Sequence, residues 1–572
     1  MKTAPLHSMY ISIAHGIQRG MQRARAISQP RLALPAGLVP SETDVQQRIQ
    51  SRDVSSVRYL WLSVCTGISV GCYFVLRYSG YWGEIDSGLF IQMIDWFIDS
   101  ERIIHPGNYK HGYAYSVWAG NLSSFLGLSV PQLSRLYTPI IGNLFLGAFG
   151  FVAFRHWLGS HRLGMLAASA LFLVPELVFT MSRGNHEKLT VSLTLLASLT
   201  MLKSFSESRE RPGVAAAWVL IHYLTTFVLV SLNAFFGSMF IFAISIVFGA
   251  AMLILTLAYK ARHTLLPIVR QLGFMVIVSW LIMSLVNWYV YPHEGHTANL
   301  LERVFDGFYA VHSSGEATSD PYAMVRYDWV SREVYHLISS FRYILFAVSF
   351  VTWLVLFVIT LATLKRVQLA RLLLVALYGA FSMLLALGVA IDFLGLDAGS
   401  NWQVRIFTYF SSFAVPFFVL GIASITQLLL RFLPRRVVLY PLATLMVGLA
   451  VLSLMKATLD PLVSNRWIGY KPTEVRAMDF WFTRREPSRL NISMHNRLIF
   501  SYVMHYGWRP GFRGYIEMSN VPQAPHIVRS TVSRANSLAW GTPETPLLLE
   551  NPIYDNGETQ IIHRRPRTPF QQ

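Results

Sequence analysis

Charge is what this chain has least of. Charged residues fill 14% of its 572 positions, where a soluble chain carries about 25%. They gather between apolar runs instead of alternating with apolar residues, which excludes a soluble multidomain enzyme. Cysteine is nearly missing as well. Cys65 and Cys72 are the only two, both inside the first long apolar run, so no external disulfide framework can form. No His-x-x-x-His or cysteine spacing of the kind that holds zinc is present. There is no internal repeat and no low-complexity block of length. Acidic residues are outnumbered, giving a net charge of +18, but the basic residues recur in short loops between apolar runs. Topology signalling and anionic headgroups account for them, and no nucleic-acid partner is expected.

What is abundant is apolar length: 53% of residues are hydrophobic. A bilayer is crossed by about 20 apolar residues, and runs of that order occur at 57–77, 136–156, 163–181, 189–205, 214–233, 237–258, 272–290, 342–364, 372–391, 406–430 and 437–456. Alternate loops are basic, carrying Arg155 and Arg162, Lys203 and Arg211, Lys260 and Arg270, Lys365 and Arg371, then Arg431 and Arg436. The opposite loops hold Glu84, Asp86, Glu187, Glu294, Asp306 and Asp392. By the positive-inside rule the N-terminus is inside and the C-terminus outside. The expected fold is an all-α polytopic membrane protein of about 11 transmembrane helices, with a smaller external mixed α/β C-terminal domain. Residues 1–56 read as a basic, partly disordered cytoplasmic segment and not a signal peptide. Residues 57–456 form the membrane domain, with external loops 78–135 and 291–341, and 457–572 the external domain with a disordered end.

The first external loop opens with Glu84 and Asp86, close to where the first span leaves the lipid. An amphipathic helix follows, with Leu89, Phe90, Met93, Trp96 and Phe97 on one stripe and Gln92, Asp95 and Asp99 on the other. Asp86 has two readings: an N-cap for that helix, or a general base at the lipid–water boundary. Glu84 is a metal ligand, an acceptor contact or a plain loop charge. A second cluster, Arg183, His186, Glu187 and Lys188, crowds one short turn between spans three and four. Its cations meet either headgroups or a substrate phosphate, and His186 and Glu187 orient sugar hydroxyls, hold a metal or pair locally. Arg405, at the outer mouth of the tenth span, either snorkels or grips a phosphate, for which guanidinium geometry is suited. Glu176, after Pro175, and His222 are the intramembrane polar residues to note.

Together these features resemble the GT-C class of polytopic glycosyltransferases, which use polyprenyl-phosphate-linked sugars. The likeness rests on Glu84-Ile85-Asp86 after span one, the helical first loop, the Arg183–Lys188 turn, the Arg405 mouth and an external C-terminal domain. It covers most of the chain in architecture and only short motifs in sequence. No Trp-Trp-Asp motif stands in the tail, and the acidic order is Glu-Ile-Asp, not Asp-Glu, so the subfamily and its sugar stay open. The resemblance implies an inverting transfer in which Asp86, with Glu84 beside it, deprotonates the acceptor. It assigns the donor phosphate to Arg405, Arg183 and Lys188, and the sugar or acceptor to His186, Glu187, Tyr81, Trp82, Tyr113 and Trp118. A divalent metal, Mg or Mn, is left open as cofactor. The implied partners are membrane lipid, a polyprenyl-phosphate-linked sugar and a glycan, lipid or protein acceptor, at a bacterial inner membrane with the site facing outward. Two other readings compete: a flippase for a lipid-linked sugar, which would show related halves and midplane polarity, and a polysaccharide polymerase or ligase.

Overall fold

The computed structural model describes residues 42–103, 112–208, 210–257, 262–290, 332–362, 369–393, 402–458, 467–469, 471–484, 492–507, 512–515, 526–530 and 551–563. The chain divides into two compact units, Met1–Val57 and Arg58–Gln572. Of the first, the backbone is helical from residue 42 onward; all that follows concerns the second.

Backbone in hydrocarbon can satisfy its N–H and C=O groups only within itself, so the long apolar runs fold as helices. Helix α1 (Glu42–Tyr78) contains the first span. Strand β1 (Trp82–Glu84), α2 (Ile85–Ser100) and α3 (Ala114–Leu126) make the first loop. A π-helical turn, Leu133–Tyr137, leads into α4 (Thr138–Leu158). Then come α5 (His161–Ala170), α6 (Pro175–Ser182), α7 (Glu187–Glu207), α8 (Pro212–Leu232), α9 (Ala234–Leu257), α10 (Arg262–Leu285), α11 (Arg332–Ala362), α12 (Leu369–Phe393), α13 (Trp402–Leu429) and α14 (Arg435–Thr458).

Among the described residues ten helices are long and apolar enough to cross a membrane. The pair His161–Leu173 and Pro175–Ser182 makes an eleventh candidate, bent by 81°. The straight span expected at 163–181 is thus broken. Pro175 is the cause: it has no N–H to donate, and its ring pushes Val174 into an extended conformation (φ −96°, ψ 107°). Helix restarts at the proline itself, where the missing donor is harmless. Glu176 then falls in the first turn of α6, at the end of the helix dipole that favours a carboxylate.

Beyond α14 lie β2 (Trp467–Gly469), α15 (Pro472–Arg484), β3 (Ile492–His495), α16 (Asn496–Tyr506), β4 (Phe512–Tyr515), β5 (His526–Ser530), β6 (Asn551–Asp555) and β7 (Thr559–His563). Five of these strands form one sheet in the order β4-β3-β5-β7-β6. β3 runs parallel to both β4 and β5, and α16 supplies the crossover that a parallel pair requires. β2 instead leaves the sheet and pairs antiparallel with β1, setting Trp467 opposite Glu84.

Among the described residues two large apolar cores follow, beside two small clusters. The larger threads the membrane helices through Phe154, Phe240, Phe381, Phe410 and Phe413. The second joins the first loop to the C-terminal segment, with Phe90, Ile91, Ile94 and Tyr115 packed among Met478, Trp481, Tyr502 and Met504. This corrects the amphipathic reading of α2. Among its described residues Ser87, Phe90, Ile91 and Ile94 are buried in an i, i+3, i+4, i+7 stripe, with Gly88 beside them, and α16 packs on the helix. Leu89, Met93, Trp96 and Phe97 are only half-buried. One face of α2 therefore meets protein, brought back from some four hundred residues downstream, which local periodicity could not register. Residues 291–331 of the expected external loop 291–341, and the end of the expected external domain past His563, lie outside the described residues.

Candidate active site

The turn from Ser182 to Lys188 is short because α6 stops at Ser182 and α7 begins at Glu187. It is also deeply buried. Arg183 is 3% exposed, His186 2%, and Asn185 and Lys188 are fully enclosed. Four polar side chains at such depth need partners, and the fold supplies each with at least one. Arg183 Nη1 donates to Glu187 Oε2 at 2.9 Å, and its guanidinium lies 5.0 Å over the Phe179 ring. Asn185 Oδ1 accepts from the Glu187 N–H at 3.1 Å, closing the start of α7. Lys188 Nζ donates to the Thr138 carbonyl at 3.2 Å. Gly142 makes that reach possible, because a Cβ there would fall 2.5 Å from the Met181 carbonyl and 3.0 Å from Lys188 Cδ.

His186 is held by Asn233, whose own orientation is set independently. Asn233 Oδ1 accepts from the Phe236 N–H at 3.1 Å, which leaves Nδ2 to donate to His186 Nε2 at 2.7 Å. The imidazole therefore presents its lone pair at Nε2. Its ring also touches Phe90 of α2, centroids 5.1 Å apart.

The decisive contact is between this turn and α2. The Gly184 N–H donates to Ser87 Oγ at 2.8 Å, and a Cβ on Gly184 would meet Ser87 at 3.1 Å. Ser87 is the residue after Asp86. Asp86 is the second residue of α2 and Glu84 the last of β1; their side chains lie outside what is described. The backbone thus brings the Glu84–Asp86 segment against the buried, cation-bearing turn, although the two are almost a hundred residues apart in the chain.

Arg405 sits one turn inside α13. The Asp392 carboxylate caps that helix, accepting from the N–H groups of Trp402 at 3.0 Å and Gln403 at 2.8 Å. The Arg405 guanidinium lies 5.9 Å from the Phe235 ring. Phe235 touches Phe236, and Phe236 touches both His186 and Tyr409. Tyr409, four residues after Arg405, also hydrogen-bonds Thr190. One aromatic block therefore connects Arg405 to the turn without a direct contact between them.

The expected sugar-stacking rings divide. Trp82 is fully buried, donates its indole N–H to the Arg135 carbonyl at 3.3 Å and packs edge-on to Phe74, so in this structure it serves the core. Tyr81 stacks on His505 at 6.0 Å. Tyr113 is half-buried, and its N–H donates to the Ser231 carbonyl at 3.0 Å, two residues before Asn233. Trp118 is half-buried beside Tyr115. Burial raises the pKa of the Tyr115 hydroxyl above the ordinary phenol value, so that group stays protonated.

Among the described residues no three side chains of His, Cys, Asp or Glu converge. The Glu187 carboxylate is engaged by Arg183, and His186 Nε2 by Asn233. The side chains of Glu84 and Asp86, the other carboxylates beside the turn, lie outside what is described. Sequence reasoning passed over Ser87, Thr138, Asn233 and Tyr409. Their only signal was polarity at the ends of apolar runs, which many spans share.

No protein-family model and no curated protein matches the chain. Solved structures do. The archaeal oligosaccharyltransferase AglB from Archaeoglobus fulgidus, in complex with an inhibitory peptide and a dolichol-phosphate, is 12% identical, with 85% of this chain and 70% of that one covered at a TM-score of 0.49. ArnT from Cupriavidus metallidurans, bound to undecaprenyl phosphate, is 11% identical, with 88% and 97% covered at 0.46. The Archaeoglobus fulgidus oligosaccharyltransferase in complex with Zn and sulfate is 12% identical, with 82% and 68% covered at 0.48.

Proposed function

We propose that this chain is a polytopic membrane glycosyltransferase. It moves a sugar from a polyprenyl-phosphate donor to an acceptor hydroxyl, with inversion, on the outer side of the membrane. The observation that carries the reading is the Gly184–Ser87 hydrogen bond, which seats a buried turn bearing Arg183, His186, Glu187 and Lys188 beside the segment that bears Glu84 and Asp86. A base for the acceptor and positive charge for a departing phosphate are the two things such a transfer needs, and one joint brings both together. The alternation of basic loops supports the outward orientation.

In the proposed step the Asp86 carboxylate takes the proton of the acceptor hydroxyl. The oxygen attacks the anomeric carbon from the face opposite the phosphate. The C–O bond to phosphate breaks, and its electron pair leaves with the polyprenyl phosphate. A phosphate leaves readily as an anion, so no acid is required across from the base. Arg405, half-buried and reachable, binds the phosphate oxygens. Lys188 acts through its field, and a positive charge enclosed in low dielectric is felt further than one in water. Preorganised charge of this kind contributes about 3–4 kcal/mol to a transition state. Glu187, Tyr113 and Trp118 line the way for the sugar or acceptor, which is a glycan, a lipid or a protein, and the enclosed His186 is held by Asn233. Residues 1–56 belong to the cytoplasm, 57–456 to the catalytic membrane domain and 457–572 to the outer side.

The test is an assay of the purified protein in lipid with a panel of polyprenyl-phosphate sugars, comparing wild type with Asp86→Asn. We expect polyprenyl phosphate release coupled to an inverted glycosidic product, lost in the variant while folding is retained, because asparagine at the second position of α2 keeps the size and polarity of the side chain but takes no proton. Equal turnover in Asp86→Asn, or no transfer from any donor, would overturn the reading.

A further inference from the structure

We infer that Arg135 is a positioning residue, gripping the reversal that delivers strand β1 and Asp86, with His505 of the C-terminal segment as its counterpart. The chain leaves α1 through two left-handed residues, Ser79 (φ 50°) and Gly80 (φ 75°), a conformation that side chains resist. Such a reversal needs anchoring if the strand after it is to hold one place.

Arg135 supplies the anchor three times over. Its Nη1 donates to the Gly80 carbonyl at 3.1 Å and to His505 Nδ1 at 2.8 Å. Its Nε donates to the Pro131 carbonyl at 3.3 Å, and its own carbonyl accepts from the Trp82 indole. It stands in the π-helical turn Leu133–Tyr137, a local widening of the helix often found where function demands it. Guanidinium has donors only, so His505 must offer a lone pair at Nδ1. Burial and the neighbouring Arg135 charge favour that neutral form, holding the His505 pKa at about 4. His505 in turn stacks on Tyr81. Strand β2, from the same C-terminal stretch, hydrogen-bonds β1 along its length. The C-terminal segment thereby becomes part of the scaffold of the proposed site.

The role in transfer rests on the reading given above; the grip itself does not. Hydrogen exchange at the amides of residues 80–86 in the full-length protein separates the two. Arg135→Ala should speed exchange there about tenfold or more relative to the membrane helices, and Arg135→Lys should recover it only in part, since an ammonium cannot span three acceptors. His505→Asn should stay near wild type, because its amide oxygen can accept in place of Nδ1, whereas His505→Leu should loosen the segment. In the transfer assay Arg135→Ala should lower kcat about tenfold with donor KM within about twofold, and His505→Asn should retain rate that His505→Leu loses. Unchanged exchange at 80–86 in Arg135→Ala, loosening spread evenly over the protein, or identical behaviour of the two His505 variants would overturn the inference. An inactive panel with localised loosening would sink only the transfer reading.

Discussion

The N–H of Gly184 and the hydroxyl of Ser87 meet at 2.8 Å, and this one bond ties the buried turn before α7 to the start of α2. A neutral buried hydrogen bond is worth about 1 kcal/mol net, so its importance lies in placement more than in stability. Gly184→Val should therefore fold and insert yet lose most transfer, because any Cβ there meets Ser87 at 3.1 Å and a branched one must push α2 away. Ser87→Ala should be milder, losing about 1 kcal/mol of stability in a thermal melt with a partial fall in rate. Full activity in Gly184→Val would separate the turn from the proposed chemistry.

Lys188 offers a sharper contrast between folding and function. It is fully enclosed and donates to the Thr138 carbonyl. Methionine is of similar length, removes the desolvation cost of the ammonium and leaves the Thr138 carbonyl without this donor, a loss of about 1–3 kcal/mol at most. Lys188→Met is expected to stay folded with a modest change in Tm while transfer drops about a hundredfold, the scale of losing one preorganised charge. A variant that keeps its rate would show that the ammonium serves packing alone.

Arg405 is held against Phe235 and makes no direct contact with the turn, so its proposed hold on the phosphate can be read separately. Arg405→Ala should raise donor KM about tenfold with normal expression, and Arg405→Lys should recover less than half of that, because an ammonium binds two oxygens of one phosphate less well. Unaltered donor KM and kcat in Arg405→Ala would return this arginine to an interfacial role.

His505 gives a pH signature. Its folded pKa is about 4, below the ordinary 6.5, through burial first and the Arg135 charge second, with Asp479 opposing. The folded state therefore favours the neutral ring, and in this interval the unfolded state binds more protons. The contribution is fully present above about 6.5 and is lost as pH falls from there toward 4. His505→Asn, which does not titrate, should lose less Tm than wild type between pH 6.5 and 4. Parallel curves for the two proteins would remove His505 as the source.

Much of this protein follows from local chemistry. Apolar runs of bilayer length become helices because the main chain has no other partner in lipid, and the charged clusters around Asp86, Arg183–Lys188 and Arg405 stand out as polarity at the ends of those runs. The acidic segment after α1, the buried turn and the helix mouth are each legible as separate stretches. What they do to one another is not. Whether Gly184 would meet Ser87, whether Trp82 would be buried, and which stripe of α2 would face protein all depend on residues tens to hundreds of positions away.

The sequence by itself determined that the chain is a many-spanning membrane protein with its titratable groups gathered at certain loop ends, because hydrophobic length and charge spacing act locally and along the chain. Only the tertiary structure decided that span three breaks by 81° at Pro175, that the turn after it is enclosed and docked on α2, and that β2 and His505 return to hold the first loop. The break itself is local to Pro175, but the docking of the turn and the return of β2 and His505 come from packing and hydrogen-bond satisfaction between distant segments. A buried cation or a left-handed reversal finds its partners wherever the folded chain brings them, and no window of sequence contains both halves.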